Sequence, residues 1–220
     1  MNSFTEENYL KIIYKLSQVN TEEVYTNAIA ELSQTKPSSV SDMLKKLADK
    51  SLIDYKKYQG VKLTLQGEKL ALDIIRKHRL WEVFLVEKLN FKWDEVHDIA
   101  EELEHIKHPL LINRLDEYLG HPVFDPHGDP IPNEKGEVQK TESVSLNNLK
   151  IGEEGAISGL KESSTVFLKF LNKMELKIGT KCLVHDIIAF DCSVEILIND
   201  NQKIIISREA AANILIHKQK

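Results

Sequence analysis

Two consecutive segments decide the fold of the N-terminal part: PSSVSDMLKKLADK (residues 37–50) and LIDYKKYQGVKLTLQG (residues 52–67). The first opens with Pro37, which suits the first turn of a helix. Its apolar positions recur at helical spacing and predict a buried stripe of Val40, Met43, Leu44 and Leu47. In the second segment, two short β-prone runs flank Gly60, which can turn the chain. These segments therefore predict a helix followed by a hairpin.

Two further helices are predicted upstream. One lies at about residues 5–17, on the segment EENYLKIIYKLSQ, and the other is TNAIAELS, with Thr26 as its N-cap. Three helices followed by a hairpin is the element order of a winged helix-turn-helix. The alternative is a small helical domain with a hairpin and no role in DNA binding.

The local charge favours the winged helix. The whole chain has a net charge of −5, but residues 36–62 contain seven lysines and three aspartates. Hydroxyl side chains in the first turns of the third helix suit phosphates and base edges, and lysines in the wing suit phosphates. The predicted DNA-contacting positions are Thr26, Lys36, Pro37, Ser38, Ser39, Ser41, Lys45, Lys56 and Lys57.

The bulk composition is that of an ordinary globular protein, with 220 residues, 42% hydrophobic and 29% charged. This length allows one large domain or two to three small ones. No apolar run approaches the roughly 18 residues of a membrane span, and the start MNSFTEENY does not resemble a signal peptide. Cys182 and Cys192 form neither a CxxC pair nor a disulfide framework, so we expect a cytoplasmic protein.

A long helix is predicted on GEKLALDIIRKHRLWEVFLVEKL (residues 67–89), with His78 and Glu82 in the middle of an apolar stripe. A buried histidine alone is usually a hydrogen-bonded core residue. A buried carboxylate beside it needs a basic side chain or a cation, because an unpaired buried charge costs several kcal/mol. A second apolar face predicts contact with another copy of the chain and is formed by Leu72, Leu80, Val83 and Phe84.

The segment HDIAEELEH (residues 97–105) places polar residues on one helical face: His97, Glu101, Glu104 and His105. Taken alone, this pattern favours an amphipathic helix with a solvated side. Packed against the helix that carries His78 and Glu82, it would bring three glutamates and three histidines together. A divalent ion would relieve the repulsion between those carboxylates, so the combined pattern predicts a metal site.

The region RLDEYLGHPVFDPHGDPIPNEKG (residues 114–136) is rich in proline and glycine and predicts an ordered connector. Within it, Asp125 and His127 are either turn residues or further metal ligands. From about Ser143 the chain changes to short β-prone runs, EGAISGL, KCLVHDIIAF, CSVEILIND and QKIIISR, with one amphipathic helix at about residues 165–174. These runs predict a small β-barrel-like domain.

Several motifs together resemble the DtxR/MntR family of metal-dependent transcriptional repressors: EENYLKIIYKL, KPSSVSDMLKKLADKSLI, RKHRLWEVFLVEKL, HDIAEELEH and HPVFDPHGDPIP. The resemblance implies a mainly α protein with a β domain. Residues 1–70 would form the winged helix-turn-helix and residues 71–140 a helical dimerisation and metal-binding domain. Residues 141–220 would form an SH3-like (FeoA-like) β-barrel.

The resemblance also implies a function. The chain would be a homodimer that binds double-stranded DNA at palindromic operators of metal-uptake genes, with Mn²⁺ or Fe²⁺ as corepressor at up to two sites per subunit. The activating site would consist of Asn8, His78, Glu101, Glu104 and His105. The ancillary site would draw on Glu82, His97, Asp125, His127 and Glu162.

Three positions depart from family patterns. Asn8 stands where manganese-type members have Asp and iron-type members have Met, and Lys11 replaces a Glu that binds a second manganese in shorter members. Glu101 stands where iron-type members have Cys. Ligation by oxygen and imidazole favours a harder ion such as Mn²⁺ without excluding Fe²⁺.

Two other function classes compete with a metal-dependent repressor. A di-metal carboxylate enzyme usually repeats a Glu-x-x-His motif on two helices, whereas this chain has one such pattern, Glu102 to His105. A repressor that senses a small organic ligand would leave the buried Glu82 without a charge partner. We therefore expect no enzymatic activity, no small organic substrate and no membrane partner.

Overall fold

The computed structural model describes residues 2–19, 23–56, 59–199 and 202–218, and the chain forms two compact units. The N-terminal unit consists of Met1–His78, Glu101–Ile112 and Pro132–Val138. The C-terminal unit consists of Arg79–Ala100, Asn113–Ile131 and Gln139–Lys220.

The N-terminal unit begins with the predicted winged helix-turn-helix. Its elements are α1 (Phe4–Val19), α2 (Thr26–Leu32), α3 (Pro37–Asp49), β1 (Ile53–Tyr55) and β2 (Val61–Leu63). The two strands pair antiparallel, and Val24 forms a bridge to Val61 just before α2. Lys57, expected in the wing, lies outside the described residues.

The core of this winged helix confirms the apolar stripe predicted on α3. Val40, Leu44 and Leu47 are fully buried with Leu10 and Ile13 of α1. Pro37 occupies the first turn of α3, as predicted.

The expected N-cap at Thr26 is wrong by one residue. Thr26 is the first residue of α2, and the cap position is Tyr25, whose side chain makes no capping hydrogen bond. Tyr25 instead follows the bridge that Val24 makes to Val61. This tertiary contact, which sequence spacing does not reveal, fixes where the helix starts.

Three helices follow: α4 (Leu65–Leu89), α5 (His97–Leu103) and α6 (Pro109–Tyr118). The prediction of one continuous helix through residue 105 is wrong, because α5 ends at Leu103. Glu104 and His105 occupy the next turn and are buried rather than solvated. The chain leaves the helix here before Pro109 begins α6.

Most of the second apolar face predicted on α4 is covered within the chain. Leu72, Leu80 and Val83 are buried, whereas Phe84 is half-buried and packs edge-on against Trp81. Among the described helices, none is long and apolar enough to cross a bilayer.

After α6 the described chain of the C-terminal unit forms six strands and two α-helices, with a short 3-10 helix at Leu146–Asn148. They are β3 (Val144–Ser145), β4 (Glu154–Leu160), α7 (Thr165–Lys173), β5 (Lys181–Ile187), β6 (Val194–Ile198), β7 (Gln202–Ile206), α8 (Arg208–Asn213) and β8 (Ile214–Lys218). The strands pair antiparallel in the order β3-β8-β4-β5-β6-β7. Within the described residues β3 and β7 do not pair, so the SH3-like sheet is open rather than a closed barrel.

The connector of the C-terminal unit is held by Asp125. Its carboxylate Oδ1 accepts hydrogen bonds from the backbone N–H groups of His127 (2.8 Å) and Asp129 (3.0 Å). Gly128 in this turn has φ +84°, and a Cβ there would lie 2.2 Å from the Ser158 carbonyl oxygen of β4. Only glycine fits this close approach, so the turn that carries Asp125 and His127 is fixed against the sheet.

Candidate metal centres

The predicted ligands fall into two groups, one in each unit. The first cluster is the predicted set of Asn8 on α1, His78 on α4, Glu101 on α5, and Glu104 and His105 in the turn after α5. All five belong to the N-terminal unit. Asn8 lies on α1 between Glu7 and Lys11, which contact His105 and Glu104. The second cluster consists of Glu82, His97, Asp125 and His127, all in the C-terminal unit.

Glu104 is the centre of the first cluster, and its side chain has no solvent exposure. His78 Nδ1–H donates to Glu104 Oε2 over 2.7 Å, and His105 Nε2 lies 3.8 Å from Glu104 Oε1. The ammonium of Lys11 lies 2.7 Å from Oε1 and 2.8 Å from Oε2 of the same carboxylate. It also lies 3.2 Å from Glu101 Oε1. Lys11 therefore joins the two glutamates.

A second carboxylate orients His105. The Nδ1–H of His105 donates to Glu7 Oε2 over 2.7 Å, and Glu7 Oε1 pairs with Lys107 Nζ at 2.8 Å. The ring is also stacked on Phe4, with centroids 4.3 Å apart. Because Nδ1 carries the proton, Nε2 offers its lone pair on the side of Glu104. This carboxylate–histidine arrangement is typical of metal-binding histidines.

Asn8 carries an unusual polar atom. Its amide oxygen Oδ1 is buried and has no hydrogen-bond partner among the described residues. Buried oxygens are nearly always satisfied, so an orphan of this kind calls for a ligand. A divalent cation satisfies it, and the donors of the first cluster are otherwise carboxylates and imidazoles. The residues of the first cluster fit a metal ion.

Three of the four residues of the second cluster are buried. One ligand atom from each of Glu82, Asp125 and His127 lies within 4.8 Å of the other two, and all three residues are buried. His127 Nδ1 lies 3.6 Å from Glu82 Oε2. His97 is half exposed, and its Nδ1 lies 3.6 Å from Glu82 Oε1. Two carboxylates and at least one imidazole thus surround one position.

Charges around the second cluster shift two pKa values. Burial, with the negative charges of Glu82 and Asp129, raises the pKa of the Asp125 carboxyl to about 7 against the opposing charge of Arg79. Burial alone would lower the pKa of His127, but its contact with Glu82 and the charge of Asp125 raise it to about 9. The protonated imidazole therefore balances the charge of one of the two carboxylates.

The tautomer of His127 is set by the chain. Its Nε2–H donates to the Trp93 carbonyl oxygen over 2.8 Å, and Trp93 Nε1–H donates to Asn172 Oδ1 of α7 over 2.7 Å. When the imidazolium loses its Nδ1 proton, the lone pair on Nδ1 faces Glu82. Glu162 is exposed and accepts a hydrogen bond from Ser164, so its described contact does not bring it to the second cluster.

The predicted DNA-contacting residues lie on α2, α3 and the start of the wing. Lys36, Ser38, Ser39, Lys45 and Lys56 are exposed. Thr26 is half-buried, and the half-buried Ser41 donates its hydroxyl to the Pro37 carbonyl oxygen over 3.0 Å.

Some of the local positive charge is paired. Lys45 contacts Asp42 at 3.1 Å, and Lys50 contacts Glu6 at 2.7 Å. Lys36 and Lys56 have no carboxylate within ion-pair distance among the described residues.

Sequence reasoning missed three residues that contact the candidate ligands, Glu7, Arg79 and Trp93. It named Lys11 only as the replacement of a Glu, without its contact to Glu104. Arg79 Nε lies 3.5 Å from Asp125 Oδ2. One signal could have found Glu7, because it shares a helical face with the buried Leu10. A carboxylate on a buried face needs a positive partner, as at Glu82.

Comparison with known proteins assigns all three regions. The model of the iron dependent repressor N-terminal DNA binding domain matches residues 2–61, and that of the iron dependent repressor metal binding and dimerisation domain matches residues 64–133. The FeoA domain model matches residues 144–218. A curated relative, the diphtheria toxin repressor of Corynebacterium jeikeium, is 26% identical over 97% of each chain.

Solved structures extend the likeness over the whole chain. A manganese-dependent transcriptional repressor in complex with manganese is 31% identical, with a TM-score of 0.88, over 97% of this chain and all of that one. ScaR with bound Zn²⁺ is 32% identical, with a TM-score of 0.79, over 97% and 99%. The repressor prediction is confirmed over the metalloenzyme alternative. The chain belongs to the family of iron- and manganese-dependent transcriptional repressors, which are DNA-binding proteins and not enzymes.

Proposed function

We propose that this chain is a cytoplasmic homodimer that represses metal-uptake genes when Mn²⁺ fills the first cluster, by binding palindromic operators. Its DNA-binding, metal-binding and SH3-like domains occupy residues 1–70, 71–140 and 141–220. Exposed apolar side chains within the region matched by the dimerisation model support self-association: Leu89, Leu110, Leu111 and Tyr118.

The observation that carries the proposal is the orphaned oxygen of Asn8. Asn8, His78, Glu101, Glu104 and His105 would hold the activating ion. Asn8 belongs to α1, whose Leu10 and Ile13 pack in the same core as Leu44 and Leu47 of α3. An ion held by both α1 and the turn after α5 would therefore restrain the DNA-reading helix.

Restraint of α3 would control DNA binding through spacing. In a dimer the two recognition helices must lie about one turn of DNA apart, roughly 34 Å, to enter successive major grooves. An ion that favours one arrangement shifts the population toward the DNA-competent dimer. Ser38, Ser39, Lys36 and Lys56 would contact DNA from their exposed positions.

The donor chemistry favours Mn²⁺ over Fe²⁺. Carboxylate and imidazole donors make up both clusters, with the Asn8 amide added at the first, and neither includes a thiolate or thioether among the described residues. Hard oxygen donors suit Mn²⁺, although the affinity series alone places Fe²⁺ above it. The second cluster would hold a second ion through Glu82, Asp125 and His127, with His97 at its exposed side.

The test measures operator binding by fluorescence anisotropy. Metal-free protein is titrated with Mn²⁺ or with Fe²⁺ under anaerobic conditions, and EDTA is then added. We expect binding with Mn²⁺ at lower metal concentration than with Fe²⁺, and release by EDTA. Operator binding that is equally tight with EDTA and with Mn²⁺ would exclude a corepressor role.

A further inference from the structure

We propose that Lys11 is a built-in counter-cation of the first cluster, which balances part of the charge of its two glutamates without metal and lowers the affinity of the cluster for a divalent ion. This inference rests on the proposed function, since it assigns to Lys11 the setting of the metal concentration at which the repressor responds. The geometry is direct: one ammonium lies 2.7 Å from Glu104 and 3.2 Å from Glu101.

Burial explains why Lys11 is there. The Glu104 side chain has no exposure and that of Lys11 is 16% exposed, so solvent screens this pair weakly. A buried carboxylate without a positive partner strongly destabilises a fold. His78 and Lys11 are the described partners at hydrogen-bond distance from Glu104. Lys11 therefore keeps the first cluster folded and assembled before an ion arrives.

The same contact opposes ion binding. A divalent ion coordinated by Glu104 must take lone pairs that the ammonium now contacts, at metal–oxygen distances of about 2 Å. The ion and the ammonium would lie a few ångströms apart and repel one another. Lys11 must then either withdraw or remain as a like charge, and both outcomes cost binding free energy. The affinity of the first cluster is thus lower than its donor set alone would give.

The chain offers a matched control on the same helix. Lys15 lies one turn after Lys11 on α1 and is exposed. Replacing either lysine removes one positive charge from the same helix, but only Lys11 contacts the glutamates. A long-range effect of net charge would appear in both variants, whereas an effect of the Lys11 contact appears in one.

The experiment is Mn²⁺ titration of metal-free full-length protein against a fluorescent chelator. All proteins carry His127→Ala, which disables the second cluster. We expect Lys11→Met and Lys11→Gln to bind one Mn²⁺ about tenfold more tightly or better than the parent, because the like charge is gone. Lys15→Met should match the parent. Thermal unfolding without metal should occur at a lower temperature in Lys11→Met, and Mn²⁺ should raise it by more than in the parent.

The outcomes separate this inference from the proposed function. If the parent binds Mn²⁺ and neither Lys11 variant binds it more tightly, Lys11 is a structural residue only and the inference is overturned. If the parent itself binds no Mn²⁺, the proposed function fails and the inference with it. Lys11→Gln keeps an N–H donor beside Glu104, so it provides the measurement should Lys11→Met not fold.

Discussion

At the first cluster the buried Glu104 lies against Lys11 and His78, whereas at the second cluster the buried Glu82 lies against His97 and His127. Lys11 supplies the positive charge at the first cluster. At the second cluster the positive charge is that of an imidazole whose pKa is raised to about 9. An entering ion therefore competes with a lysine at the first cluster and with a proton at the second. Two sites of similar donor type should respond to different variables.

The largest expected effect comes from the centre of the first cluster. Glu104→Ala removes a buried candidate ligand, and we expect more than about 100-fold weaker Mn²⁺ binding, measured by calorimetry in the His127→Ala background. Metal-dependent operator binding should be lost with it. Glu102→Ala is the control, because Glu102 is exposed on α5. Equal Mn²⁺ affinity in the two variants would return this segment to a structural role.

A smaller loss is expected when His105 loses its orienting carboxylate. Glu7→Gln weakens the hydrogen bond that fixes the His105 ring, and we expect about tenfold weaker Mn²⁺ binding at the first cluster. Glu6→Gln is the matched control, since Glu6 is a buried carboxylate of α1 that pairs with Lys50 instead. If both variants lose affinity equally, the effect reflects the stability of α1 and not the orientation of His105.

The second cluster should respond to pH. Below a pKa of about 9, His127 carries a proton that an ion bound at Nδ1 must displace, and the raised pKa of Asp125 adds a partial proton near pH 7. Affinity should therefore rise with pH, by about tenfold per unit between roughly pH 7 and pH 8.5, and level off above the pKa of His127.

The pH response is measured in a Glu104→Ala background, where the second cluster acts alone. Calorimetry in buffers of different ionisation enthalpy counts the protons, and we expect about one released per Mn²⁺ at pH 8. Affinity that does not change between about pH 7 and pH 8 would mean that His127 is already neutral or is not a ligand.

The two clusters also differ in how far the sequence predicts them. Local periodicity was enough for α3, α4, α7 and the hairpin, because apolar positions repeat at the spacing of each element. It was also enough to find Glu82, since a carboxylate in an apolar stripe is a local anomaly. The same periodicity continued α5 through Glu104 and His105, where the chain instead turns and buries both.

What periodicity lacks is contact between distant segments. Lys11 meets Glu104 across 93 positions, and Glu7 meets His105 across 98. The last strand, β8, pairs between β3 and β4 rather than beside β7, its predecessor in sequence. Periodicity within one segment constrains neither these side-chain contacts nor the position of β8 in the sheet. The resemblance to a known family named the candidate ligands, but it did not supply the contacts that Lys11 and Glu7 make with them.

The smallest expected effect tests the neutral ligand of the first cluster. Asn8→Asp replaces an orphaned amide oxygen with a charged one, so we expect roughly fivefold tighter Mn²⁺ binding in the His127→Ala background. Without metal the same change buries one more carboxylate oxygen, and thermal unfolding should occur at a lower temperature. Asn8→Ala should instead weaken Mn²⁺ binding. It should raise the thermal stability of the metal-free protein, because it removes the unpartnered oxygen. These opposite directions in affinity and in metal-free stability distinguish a ligand from a helix residue. If Asn8→Asp and Asn8→Ala both leave the Mn²⁺ affinity unchanged, the ion does not reach α1, and restraint of the DNA-reading helix through Asn8 is excluded.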